Sequence, residues 1–141
     1  METLTRDYFF NGDIVLNQPK SGYRFSIDAV ILSHLVRPQA GETVLDLGTG
    51  CGVIPIMLAF RHPEISVIGV ELQPALFDLA CQNVSANRMT RRVMMIRKDM
   101  EQLTLADIDG PVNLVVTNPP YRQRGSGRLN ADSQRAVARH E

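Results

Sequence analysis

The segment Asp46-Leu47-Gly48-Thr49-Gly50-Cys51-Gly52 stands between a short apolar run and a helical stretch, the place where α/β proteins hold ligands. Gly48, Gly50 and Gly52 alternate, so the backbone can turn sharply and approach a ligand with no Cβ in the way. The spacing fails the dinucleotide fingerprint, because Val53 occupies the third position after Gly50, and no Lys-Ser/Thr pair follows to make a phosphate-cradling loop. Asp46 would also repel a pyrophosphate and favours instead a ligand carrying ammonium and sulfonium charge. Glu71 ends the next apolar run, 21 residues after Gly50, where an acid can hold both hydroxyls of a ribose. Asp99 follows the third run and can accept from an adenine amino group, while Leu72 and Met100 offer apolar cover to a purine ring. Each acid alone reads as a solvated carboxylate at a strand end. Three at the ends of successive strands point to an adenosine with a charged tail.

Asn118-Pro119-Pro120-Tyr121 follows the fourth run. Two prolines remove two backbone donors and end any ladder, and they force Asn118 into an extended conformation. The Asn118 side-chain oxygen and the Pro119 carbonyl are then displayed as acceptors beside an aromatic face. Two converging acceptors suit a planar NH2 group, whose nitrogen is a poor nucleophile while its lone pair is delocalised. Accepting both protons lets that nitrogen pyramidalise and frees the lone pair for an electrophile. Tyr121 can stack on a planar substrate, a contact of about 1–3 kcal/mol for a nucleobase. On its own the tetrapeptide also reads as a simple turn.

Positioning these residues takes an alternation of elements. Thr43–Leu47, Ser66–Glu71, Val93–Ile96 and Asn113–Thr117 are short apolar runs, separated by helical stretches over Val53–Phe60 and from Pro74 to about Arg88. Apolar runs alternating with helices predict an α/β fold with a parallel sheet covered on both faces. Upstream, Tyr8-Phe9-Phe10 and Ile14-Val15-Leu16 flank Asn11-Gly12-Asp13, a hairpin signal. Ser26 can cap a helix in which Ile27, Val30, Ile31 and Leu35 recur at helical spacing, ended by Pro38 and Gly41. A further helix is expected over Ala131–Glu141. The sequence therefore divides into an N-terminal hairpin-and-helix extension over 1–38 and a ligand-binding domain over 39–141. Leu114–Val116 would form an apolar edge strand, an arrangement native proteins avoid, so the chain reads as the N-terminal part of a larger domain.

At 141 residues the length suits one domain, with roughly 68% of the unfolded surface buried. Hydrophobic residues at 44% and charged residues at 21% place it among globular chains. No run approaches the roughly 18 apolar residues of a membrane span, and Glu2, Arg6 and Asp7 stand where a signal peptide needs an apolar stretch, so a cytoplasmic protein is expected. Cys51 and Cys81 make no disulfide scaffold and no zinc spacing, and His34, His62 and His140 are scattered, so no metal is expected. Cys51, Met94 and Met95 read as core. The net charge of zero conceals an asymmetry: residues 1–121 hold ten Lys/Arg against thirteen Asp/Glu, and residues 122–141 hold five against two. Thirteen of the fifteen basic residues are arginine, whose fork suits phosphate, so the Arg122–Arg139 segment can meet a polyanion or simply be a solvated face.

The Asp46–Gly52 loop, Glu71, Asp99 and Asn118–Tyr121 together resemble the class I S-adenosylmethionine-dependent methyltransferases of the amino-methylating branch, over about residues 40–121. Gly22-Tyr23-Arg24-Phe25-Ser26-Ile27-Asp28 and Ala138-Arg139-His140-Glu141 narrow the resemblance to the tRNA1(Val) (adenine(37)-N6)-methyltransferase family. It implies a seven-stranded Rossmann-like sheet, of which about three C-terminal strands are absent here. It implies S-adenosyl-L-methionine as cofactor, held by Asp46, Gly48, Gly50, Gly52, Glu71, Leu72, Asp99 and Met100. It further implies RNA, here tRNA, as substrate, with Asn118, Pro119, Pro120 and Tyr121 at the reacting amine. Release-factor glutamine methyltransferases share the tetrapeptide, so a protein amide is the alternative, ahead of DNA adenine. A chain that only binds the cofactor, as a truncated remnant, is the reading from another class.

Overall fold

A computed structural model describes residues 3–21 and 24–119. Gly22, Tyr23, Pro120, Tyr121, the Arg122–Arg139 segment, His140 and the helix expected over Ala131–Glu141 lie outside them. The chain opens with an antiparallel hairpin, β1 (Leu4–Phe9) and β2 (Ile14–Pro19), followed by α1 (Ile27–Leu35). Then come β3 (Thr43–Leu47), α2 (Val53–Arg61), β4 (Ser66–Glu71), α3 (Pro74–Ala86) and β5 (Val93–Arg97). A 3-10 turn (Met100–Gln102), the short α4 (Leu105–Ile108) and β6 (Leu114–Thr117) complete the described elements. The four later strands form a parallel sheet in the order β5-β4-β3-β6. The chain steps from β3 outward to β5 and then returns across the sheet to β6. The strand order therefore reverses at β3, and its crevice lies between the carboxyl ends of β3 and β6.

Strand residues alternate between two cores. On one face Val44, Val67, Val93 and Val116 pack against α2, α3, Ala29 of α1, and Ile14 and Leu16 of the hairpin. On the other, Leu45, Ile68 and Val70 are covered by Ile108, Leu103 and Val112, from the connection that precedes β6. Val53 through Ala59 are all buried, as suits a helix apolar on every side and packed between the sheet and α1. Ser26 caps α1, accepting from the Asp28 amide at 3.2 Å. No helix among the described residues is long and apolar enough to cross a membrane.

Three expectations need correction. The hairpin turn is longer than Asn-Gly alone: Phe9 pairs with Ile14, and Phe10, Asn11 and Gly12 all take positive φ. Phe10 leaves the strand because its ring is claimed by Phe60, with centroids 4.4 Å apart, and by His34. Of the apolar stripe of α1 only Val30 packs against the core; Ile27, Ile31 and Leu35 are exposed, whereas Ala29 and Ser33 are buried. Small residues let the α1 backbone come close to α2, and the Ser33 hydroxyl is satisfied by the Val30 carbonyl at 2.7 Å. Met94 is 45% exposed, because the pleat turns it away from the face on which Met95 packs.

Candidate active site

Asp46 is the fourth residue of β3 and points to the face of Val44, leaving it 1% exposed. Neither carboxylate oxygen has a hydrogen-bond partner, and the nearby Thr49 hydroxyl is also unpartnered. Burial pushes the Asp46 carboxyl up to about 7; the Thr49 hydroxyl draws it partly back without reaching hydrogen-bonding geometry, and the negative charge of Glu71 adds to the rise.

The chain turns out of β3 through Gly48 and Gly50, with φ of 75° and 61°, and reaches Gly52, the residue before α2. The loop amides point into the protein. Gly48 and Thr49 both donate to the Val70 carbonyl at 2.9 Å, Gly50 donates to Glu71 Oε1 at 2.7 Å, and Gly52 donates to the Thr49 carbonyl at 3.0 Å. A phosphate site needs free N–H groups aimed at the ligand. This loop has spent those four amides within the protein beside two acids, Asp46 and Glu71, an arrangement that suits a cation better than an anion.

Glu71 ends β4 and is 8% exposed. Its Oε1 accepts from Gly50, and its Oε2 accepts from the Gln73 amide at 3.0 Å. Each carboxylate oxygen keeps a second lone pair, so a neighbouring diol can still be held. Asp99 stands past the end of β5, where Oδ1 accepts from the Glu101 amide at 2.9 Å and opens the 3-10 turn. Met100 reaches back over the loop; its methyl lies 3.6 Å from where a Cβ on Gly48 would stand. Leu72 and Met100 are 56% and 44% exposed, an apolar lip flanking the acids.

Leu47 pairs with Val70 on one side and Thr117 on the other, so the next residues, Gly48, Glu71 and Asn118, stand level across three strands. The Thr117 hydroxyl donates to the Leu47 carbonyl at 3.0 Å, tying the start of the Asn118-Pro119 segment to the strand that carries Asp46. Asn118 and Pro119 are half-buried. The sheet thus gathers Asp46, the glycine loop, Glu71, Leu72, Asp99, Met100, Asn118 and Pro119 at one edge.

Two residues outside the motifs shape this edge. Gly69 sits in mid-strand; a Cβ there would meet Met95 Sδ at 2.7 Å and Thr49 Oγ1 at 3.0 Å, so its bare backbone makes room for the loop. A glycine interrupting an apolar strand is the signal that marks such an approach. Asn83 of α3 donates to the Cys51 carbonyl at 2.9 Å, a contact no local pattern announces. Cys51 itself is buried and its thiol is pushed up to about 12, chiefly by burial, so it stays protonated and packs. No cluster of metal-ligating side chains occurs among the described residues.

The model of a family described as "Methyltransferase small domain" matches residues 26–137. A tRNA1(Val) (adenine(37)-N6)-methyltransferase of Porphyromonas gingivalis is 31% identical over 141 aligned residues, covering 96% of this chain and 54% of that protein. A release factor glutamine methyltransferase of Chlorobaculum tepidum is 30% identical and covers 71% of this chain and 40% of that protein. The chain therefore spans about half the length of these curated relatives, or less. The crystal structure of M. jannaschii TYW2 in complex with AdoMet shares the fold, with a TM-score of 0.61 and 20% identity over 73% of this chain and 47% of that one.

Proposed function

Because the chain belongs to the methyltransferase small domain family, we propose that it binds S-adenosylmethionine at the strand ends and directs methyl transfer to the exocyclic N6 amine of an adenine in tRNA, in the cytoplasm. One observation carries this reading: a glycine loop with inward amides, above an unpartnered buried carboxylate, stands level with Asn118 at the switch point.

The residues fit the cofactor. Asp46 offers an unspent anionic partner to the charged amino-acid portion, Glu71 keeps lone pairs for two ribose hydroxyls, and Asp99 keeps one oxygen for an adenine amino group. Gly48, Gly50 and Gly52 keep the cleft floor free of side chains, and Leu72 and Met100 flank the ring. When bound, S-adenosylmethionine supplies a methyl group on a sulfonium, which the amine nitrogen takes as the carbon–sulfur bond breaks and its electron pair stays on sulfur.

Asn118 and Pro119 act on the amine. The Asn118 side-chain oxygen and the Pro119 carbonyl accept its two protons, draw the nitrogen toward pyramidal geometry and aim the freed lone pair. Those hydrogen bonds strengthen as positive charge grows on nitrogen, so they favour the transition state over the bound substrate. The cationic nitrogen left after transfer is acidic enough to give its proton to water, so no general base is needed. Pro120 fixes the backbone beyond, and Tyr121 stacks on the flipped base. The arginines of the 122–139 segment hold RNA phosphates, which accounts for their excess in one short stretch.

A glutamine amide is also a planar NH2, and the C. tepidum relative, named as a release factor glutamine methyltransferase, favours that second reading. The test is incubation of the purified protein with isotope-labelled S-adenosylmethionine and either bulk tRNA or a peptide release factor, followed by nucleoside and amino-acid analysis. Label in N6-methyladenosine is expected. Label in glutamine instead would establish the second reading, and label in neither, with cofactor bound, would overturn both.

A further inference from the structure

We infer that Asn83 is a positioning residue that ties the N-terminal hairpin to the glycine loop and makes hairpin and cofactor cleft one energetically coupled unit. The inference rests on the reading of that loop as the cofactor site.

Strand β2 has β1 on one edge, and its other edge is finished by two side chains, Asn83 of α3 and Asn87, the residue that caps the C-terminus of that helix. The Asn87 amide pairs with the backbone of Val15, accepting from its N–H at 2.9 Å and donating to its carbonyl at 2.7 Å. The Asn83 amide pairs in the same way with Asn17, accepting at 3.0 Å and donating at 2.9 Å. A carboxamide has the donor and acceptor of a peptide group, so each asparagine stands in for a residue of a missing strand. The spacing permits it: four helical residues rise about 6 Å, close to the ~6.7 Å advance of two strand residues. The helix thus covers an edge that would otherwise leave backbone groups unpaired.

The two asparagines differ in one respect. The second amide proton of Asn87 goes to the Asn83 carbonyl, one turn back on its own helix, at 2.8 Å. That of Asn83 goes to the Cys51 carbonyl in the glycine loop, at 2.9 Å. Asn83 is fully buried, and both its amide protons and its oxygen are used. Fixing the Cys51 carbonyl fixes the peptide plane whose other end is the Gly52 N–H, bonded to the Thr49 carbonyl, so the turn from Thr49 to Gly52 is held from α3. Movement of β2 at Asn17 must strain the same amide that holds the loop. Coupling of this kind is reciprocal: the cofactor steadies the hairpin as much as the hairpin steadies the cofactor site.

The test compares Asn83→Ala with Asn87→Ala in the purified protein, measuring melting temperature and affinity for S-adenosylhomocysteine. Both variants should lower the melting temperature, because each frees part of the β2 edge. Only Asn83→Ala should also weaken ligand binding, at least tenfold, while Asn87→Ala stays within twofold of the original. Equal losses in the two variants, or none in Asn83→Ala, would overturn the coupling and leave both residues as edge covers. Amide exchange on the unaltered protein provides a second readout that does not depend on Asn83→Ala folding. Ligand should slow exchange of the Asn17 amide more than that of Val15, and equal responses would contradict the inference. Absence of any ligand binding by the unaltered protein would instead remove the cofactor reading on which the inference stands.

Discussion

A carboxylate sealed from water without a hydrogen bond favours its protonated form, and Asp46 is held in that condition by its burial and by the negative charge of Glu71, with the Thr49 hydroxyl pulling weakly the other way. Its unfolded-state value is 3.8 and its folded value about 7. Between these limits the unfolded state binds fewer protons, so the protein without cofactor loses stability as pH rises from about 4 to 7 and levels off above. Asp46→Asn should abolish that part of the slope in denaturant titrations from pH 5 to 8, and an unchanged slope would show that Asp46 ionises normally. A cationic ligand reverses the sign, since it pairs with the ionised form, so affinity for S-adenosylmethionine should rise several-fold from pH 6 to 7.5. The acid itself was legible as a motif residue beside glycines. Its burial was not, because that depends on which side of β3 the pleat turns toward the covered face.

At the scale of elements, the four strands and the helices after β3 and β4 stand where apolar runs and helical spacing put them, because each is long enough to show its period. Helix α4 leaves no period in the sequence: four residues make barely one turn, and its stability comes from Asp107, which accepts from the Thr104 amide at 2.9 Å and from Lys98 at 2.7 Å. Helix α1 was legible as a helix but not in its orientation, since Ala29 and Ser33 pack where larger residues showed the periodicity. Gly69 belongs to this scale too. Alanine in a strand usually gains up to about 1 kcal/mol over glycine by restricting the unfolded chain. Here the clash with Met95 and Thr49 opposes that gain, and overpacking of this kind costs about 1–3 kcal/mol. Gly69→Ala should therefore lower the denaturation midpoint and, by displacing Thr49, weaken binding of S-adenosylhomocysteine. A variant as stable as the original, with the same affinity, would show that Thr49 and Met95 move aside freely.

For the whole molecule, the strand order β5-β4-β3-β6 turns separate motifs into one site, because the reversal at β3 brings Asn118, 70 residues after Gly48, level with it. The order itself was not readable from local pattern; it follows from which strand faces pack, and that emerges only when both cores form. At that level position Asn118 either performs chemistry or merely shapes the turn. Single-turnover methylation of tRNA by the purified protein and by Asn118→Ala, with S-adenosylmethionine affinity measured in parallel, separates the two. Loss of one preorganised polar group at the reacting atom should slow transfer by about 10²–10³-fold and leave cofactor affinity nearly unchanged. Equal transfer rates in both proteins, with cofactor bound to each, would contradict the assignment and leave the Asn118-Pro119 segment as scaffold.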